Sequence, residues 1–263
     1  MPIITLTTDL GHRDFYLAKL KGRILSSVPN ANIVDITHDI PSHNIPYTAF
    51  VLKNAYLYFP KGTIHLIGVD TLANDKSKYI AVEINEHLFV GTDNGIFTLM
   101  FQQNFSNAVE IDLRQSFELL HFPLADILTN AVCLLANGKK IQDIGFPIQE
   151  LQEKMNFYPV IEHDRIVGTI IYVDKYVNSI TNITKNLFDE LQNQRQFKLS
   201  FGRGDFIERL SWHYNEVPES EKLCLFGVTQ HLEIAINKGS AEELLGLKLN
   251  QKVVLEFTNN TLL

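Results

Sequence analysis

At 263 residues the chain can fill one large domain or two modest ones, and its 45% hydrophobic and 20% charged residues exclude a disordered or fibrous protein and fit an ordinary soluble globular one. A net charge of −7 argues against nucleic acid, which wants a basic face, and no apolar run approaches the ~20 residues of a membrane span. The start MPIITLTTDL has no basic segment leading into a long apolar stretch, so no signal peptide is expected, while Cys133 and Cys224 read as buried reduced thiols of a cytoplasmic protein and not as a zinc site.

Residues 3–8 read as a strand. From about Asp14 the period changes: Leu17, Leu20, Ile24 and Val28 recur at helical spacing until Pro29 and Asn30 stop the run. Residues 33–37 are a second strand, 46–58 a helix broken by Pro60 and Gly62, and 63–69 a third strand. This alternation implies right-handed crossovers and a parallel sheet. Strands over 78–84 and 88–92 follow, then the turn Asp93-Asn94-Gly95, and a helix over 126–137 closed by Gly138. The polar segment 148–156 reads as a linker. Beyond it, short β-like runs (166–173, FKLSF, LCLFGV, LEIAIN, KVVLEF) predict a mostly β second half, a small barrel or sandwich. The expected architecture is therefore an α/β domain over 1–150, with a mostly parallel sheet, and a smaller β-barrel-like domain over 158–263.

Acidic residues recur where the strands end. Asp9 closes the first, Asp35 and His38 the second with Asp39 next, Asp70 the third, and Asp93 with Asn94 the fifth. The carboxyl ends of parallel strands share one edge, where open α/β folds bind ligands, so these carboxylates are expected to converge on one mouth. Helix capping is the bland alternative for Asp14, Asp39 and Asp126. An acidic mouth can hold a divalent metal, grip the two hydroxyls of a ribose, or attract a cationic ligand. TTDLGHRD resembles the strand-end motif of nucleoside hydrolases, which holds calcium and a ribose, but only Asp9, Gly11 and Asp14 fall in register, and no metal is expected. The nine histidines lack metal-ligand spacing.

An ordered set of segments carries a fuller resemblance: TTDLG, KGRIL, PNANIVDITHDI, FPKGTIHLIGVD, VGTDNG, GTIIYVDKYVNSITNI and LEIAINKGSAEELLGL. In this order they resemble the S-adenosylmethionine hydroxide adenosyltransferases, relatives of the fluorinases and chlorinases. The resemblance implies an N-terminal α/β domain, a smaller C-terminal β-barrel, and a homotrimer with S-adenosylmethionine held between the N-domain of one subunit and the C-domain of the next. The implied reaction displaces methionine from the 5′ carbon of the adenosyl group, water being the nucleophile. No cofactor is implied; S-adenosylmethionine enters as substrate or ligand. Asp9 matches the aspartate that grips the ribose hydroxyls, Asp174 the one that meets the methionine ammonium, Asn178 the asparagine that reads adenine, and Asp70 the aspartate of a catalytic Asp-Arg-His set.

The rest of that set is altered. Ser77 falls where the arginine belongs, flanked by Lys76 and Lys78, and lysine offers a point charge instead of a planar fork. Pro123 stands at the histidine position, with His121 two residues earlier as the substitute. GVTQ at 227–230 replaces the segment that binds the methionine carboxylate, leaving Thr229 and Gln230 as the groups able to hydrogen-bond there. Two readings follow: a hydrolase forming adenosine and methionine, with Asp70 and His121 acting on the water, or a trimer that binds adenosine or S-adenosylmethionine without turnover. Both imply a small nucleoside ligand and neither nucleic acid nor membrane.

Overall fold

The computed structural model describes residues 1–71, 77–112, 122–155, 158–202 and 204–258. They form two compact units, Met1–Met155 and Asn156–Leu263.

The first unit is built on β1 (Ile3–Thr8), α1 (Tyr16–Ser27), β2 (Asn32–Thr37), α2 (Ile45–Ala55), β3 (Ile64–Gly68), β4 (Tyr79–Ile84), β5 (His87–Thr92), α3 (Ile96–Phe101), β6 (Asn107–Ile111), α4 (Thr129–Ala136) and β7 (Gly145–Pro147). Its seven strands form one sheet in the order β2-β1-β3-β5-β4-β6-β7. The pairs among β2, β1, β3 and β5 are parallel, whereas β4, β6 and β7 are joined by antiparallel pairs. The four parallel strands therefore place their carboxyl ends on one edge.

The period-2 pattern of β1 turns its Ile4 and Leu6 to one face of the sheet. Ile4 and Leu6 pack with Leu17, Leu20 and Ile24 of α1 and with α4. On the opposite face, Ile67 and Phe89 pack with Ile45 and Leu52 of α2 and with α3. The sheet is thus covered on both sides, as a parallel sheet requires.

Three local expectations are corrected. The helix expected over 126–137 starts earlier, with a π-helical turn over Leu124–Leu128 that runs into α4. None of the three aspartates suspected of capping does so. Phe15 precedes α1 with no side-chain cap, Asn44 caps α2 by accepting from Tyr47 N at 3.1 Å, and Asp126 instead accepts from Arg23 Nη1 at 2.7 Å within the π turn. The polar run read as a linker is largely packed onto the first unit: Leu151 is buried, and the backbone amides of Gln152 and Lys154 donate to Asp93 and Thr98.

The second unit holds β8 (Val160–Glu162), β9 (Arg165–Val173), β10 (Ser179–Thr184), α5 (Lys185–Gln192), β11 (Gln196–Phe201), β12 (Asp205–Ile207), β13 (Lys222–Phe226), β14 (His231–Ile236), α6 (Ala241–Leu245) and β15 (Lys252–Thr258). All its ladders are antiparallel, in the order β12-β11-β15-β9-β10-β14-β13, with β8 added to β9. The sheet curls into a nearly closed barrel whose edge strands meet through Lys222 Nζ and Asp205 Oδ1 at 2.5 Å. The mostly β reading of this half is met, with α5 as a helix that it did not place. Thr184 caps that helix, and its Phe188 enters the barrel core against the rings of Phe197, Phe226 and Phe257 at 5.3–5.6 Å.

Candidate functional site

At the carboxyl edge of the parallel strands the backbone is stitched before the side chains are placed. Gly11 N–H donates to His38 O at 2.9 Å, joining the loop after β1 to the end of β2. Gly11 has φ +65°, a conformation glycine adopts at little cost. Buried Thr8 adds a second tie, its Oγ1 lying 2.8 Å from His38 Nδ1. Beyond β3, Asn94 holds the chain by donating from Nδ2 to Val69 O at 3.3 Å.

Asp9 and Asp70 then converge on one residue, His43, in the loop before α2. The backbone N–H of His43 donates to Asp9 Oδ2 at 3.1 Å, and its ring Nδ1 lies 2.9 Å from Asp70 Oδ1. The His43 side chain is 57% exposed and that of Asp70 41%, so both are open to a ligand. His43 sits at φ +61° and Asp70 at φ +51°, the left-handed region that non-glycine residues seldom occupy.

Other carboxylates expected at this mouth are turned to structural use. Asp35 lies inside β2, opposite Leu6, and pairs with Lys21 at 2.6 Å. Its Oδ1 lies 3.1 Å from Nε2 of the buried His38, whose pKa is pushed down by burial against the upward pull of Asp35. Asp93 is buried, and both its oxygens accept from Gln152 N, at 2.9 and 3.1 Å. Burial raises its pKa, partly offset by that backbone donor.

In the second unit Asp174 and Asn178 come together as the turn between β9 and β10. Asn178 donates its backbone N–H to Asp174 Oδ1 at 2.8 Å and its Nδ2 to Oδ2 at 3.0 Å. Thr229 and Gln230 lie at the other end of β10, where Gln230 O accepts from Lys185 N at 2.8 Å. Gln230 spends its side-chain amide on Gly227 O at 3.3 Å. The Thr229 hydroxyl is buried and, among the described residues, has no hydrogen-bond partner.

Between these turns stands a carboxylate absent from the sequence-based set. Glu233 of β14 is buried opposite Ile180 and Leu225 and accepts from Tyr214 Oη at 2.8 Å. Burial raises its pKa, Tyr214 opposes that, and the charge of Asp174 adds to it. Gly227 makes room for it, since a Cβ there would fall 1.7 Å from Glu233 Oε1.

His121 and Lys76 lie outside the described residues. Pro123 opens the π-helical turn. Sequence reasoning passed over His43 because no spacing distinguishes it from the other histidines. Its one local signal is its place directly before the Asn44-Ile45-Pro46 helix start. Among the described residues no group of three or more His, Cys, Asp or Glu is arranged to hold a metal ion, and no helix is long and apolar enough to cross a membrane.

Comparison with known proteins places these features in a family. The model of the SAM hydroxide adenosyltransferase N-terminal domain matches residues 4–145, and that of the C-terminal domain matches residues 168–254. The chain is 27% identical over 258 residues to the (R)-S-adenosyl-L-methionine hydrolase of Methanocaldococcus jannaschii, covering 94% of this chain and 93% of that protein. It is 33% identical over 256 residues to the protein of the same name from Salinispora arenicola, covering 94% of each. The crystal structure of an uncharacterized conserved protein from Thermotoga maritima superposes with a TM-score of 0.86 at 27% identity, over 96% of this chain and 99% of that one. Both domain models match in order along one polypeptide: the chain belongs to the SAM hydroxide adenosyltransferase family.

Proposed function

We propose that this protein hydrolyses S-adenosylmethionine to adenosine and methionine by displacement at the 5′ carbon. The observation that carries the reading is the meeting of Asp9 and Asp70 on His43 at the carboxyl edge of the parallel strands. It is supported by the relatives named as hydrolases of that compound. The sulfonium makes methionine a neutral leaving group, so the reaction calls for neither an acid nor a cofactor. The protein has to hold a partly desolvated water in line with the carbon–sulfur bond. In this reading Asp9 grips the ribose hydroxyls and Asp70 orients the water. Asp174 meets the ammonium of the methionine moiety, Asn178 the adenine, and Thr229 and Gln230 the carboxylate. We place the reaction in the cytoplasm, a compartment that keeps thiols such as the buried, free Cys133 and Cys224 reduced.

Ser77 and Pro123, standing where the resemblance puts an arginine and a histidine, favour a second reading: a protein that binds the same ligand without turnover. One experiment separates the two. Purified protein incubated with S-adenosylmethionine is expected to release adenosine and methionine, followed by chromatography, and Asp70→Asn is expected to lower kcat by about 100-fold or more. Binding seen by calorimetry, with adenosine released no faster than in buffer, would establish the binding protein instead.

A further inference from the structure

We propose that His43 takes the proton from the attacking water, a role that rests on the hydrolytic reading above. An ionised carboxylate only accepts hydrogen bonds, so Asp70 Oδ1 at 2.9 Å fixes the ring hydrogen on His43 Nδ1. The neutral imidazole then offers its lone pair at Nε2, as a general base must. The same residue is anchored by its backbone N–H to Asp9 while its ring meets Asp70, so both strand-end carboxylates hold it.

The other histidines paired to side chains in this unit are not placed for the task. His38, His65 and His87 are buried, with Thr8 and Asp35 around the first, Thr5 beside the second, and the second and third paired with each other. His43 alone of these four combines a carboxylate partner with a ring that water can reach. The left-handed backbone at both His43 and Asp70 is the kind of local strain that persists where a site holds it in place.

The step balances. The water oxygen bonds to the 5′ carbon as the carbon–sulfur bond breaks. The bonding pair stays on sulfur as the neutral thioether of methionine. One proton of the attacking water passes to Nε2 while the other stays on the new 5′ hydroxyl, and the imidazolium returns its proton to solvent.

The variant of choice is His43→Gly. Glycine adopts φ +61° without strain and keeps the backbone N–H that Asp9 accepts. It is expected to lower kcat for adenosine formation by about 100-fold or more, to leave KM within a factor of a few, and to regain activity when free imidazole is added. His43→Gly turnover within a few-fold of wild type would overturn the role. So would a loss that imidazole does not relieve. A wild-type protein that forms no adenosine would overturn the hydrolytic reading and this role together, and is recognised before any variant is made.

Discussion

Asp174 is the residue whose contribution is sharpest to test. Both its oxygens are engaged by Asn178, so it is held before a ligand arrives. If it faces the ammonium of S-adenosylmethionine, losing that charged hydrogen bond costs roughly 2–5 kcal/mol, much of it from the partner left unpaired. Adenosine has no ammonium. Asp174→Asn is therefore expected to weaken S-adenosylmethionine by at least about tenfold, or ~1.4 kcal/mol, and to leave adenosine within a factor of a few. Calorimetry on both ligands checks this, and equal losses would make Asp174 a turn residue only. Glu233, buried beside it electrostatically, shows how a residue is lost to sequence reading: inside LEIAI it passes for one polar position of a strand, and only the fold sets Tyr214 and Gly227 against it.

At the scale of elements, β1, β3 and β5 carry a polar chain through an apolar layer. Thr5 Oγ1 lies 2.7 Å from His65 Nδ1, and His65 Nε2 lies 3.1 Å from His87 Nδ1, beneath Tyr56 and Phe89. Burial, and then the neighbouring His87, push the His65 pKa down to about 3 from 6.5. Between those values the unfolded chain binds a proton that the folded one refuses. The contribution to stability is complete above pH 6.5 and falls by about 1.4 kcal/mol per pH unit as the solution is acidified towards pH 3. Urea unfolding of the wild type is expected to show a steeper loss between pH 6.5 and 5 than that of His65→Gln; parallel losses would assign the acid sensitivity elsewhere. Sequence periodicity located these strands, since apolar alternation is local, but it could not pair His65 with a histidine 22 residues away.

For the whole molecule, the candidate ligand groups are divided between two units, Asp9, His43 and Asp70 on one and Asp174 and Asn178 on the other. We propose that three copies assemble in a ring, the N-terminal unit of one facing the C-terminal unit of the next. That is a heterologous interface closed by rotation. Light scattering at micromolar concentration is expected to give three times the 30.0 kDa of a single chain. A mass of 30.0 kDa there would overturn the ring.

The sequence by itself determined the strand-end carboxylates, the alternation of β1 to β3 with their helices, and the change to β structure past residue 158. These are local properties: a period of two or of 3.6, and a residue type at an element's end. Only the tertiary structure decided which carboxylates stay open. Asp93 and Asp35 share the composition and spacing of Asp9 and Asp70, yet Gln152 and Lys21 occupy them. His43 is the plainest case. It stands 34 residues from Asp9 and 27 from Asp70, in a loop with no period to betray its direction. Its meeting with both follows from three parallel strands ending at one edge while α2 starts beside them, and a parallel crossover brings distant residues together with no mark at either position.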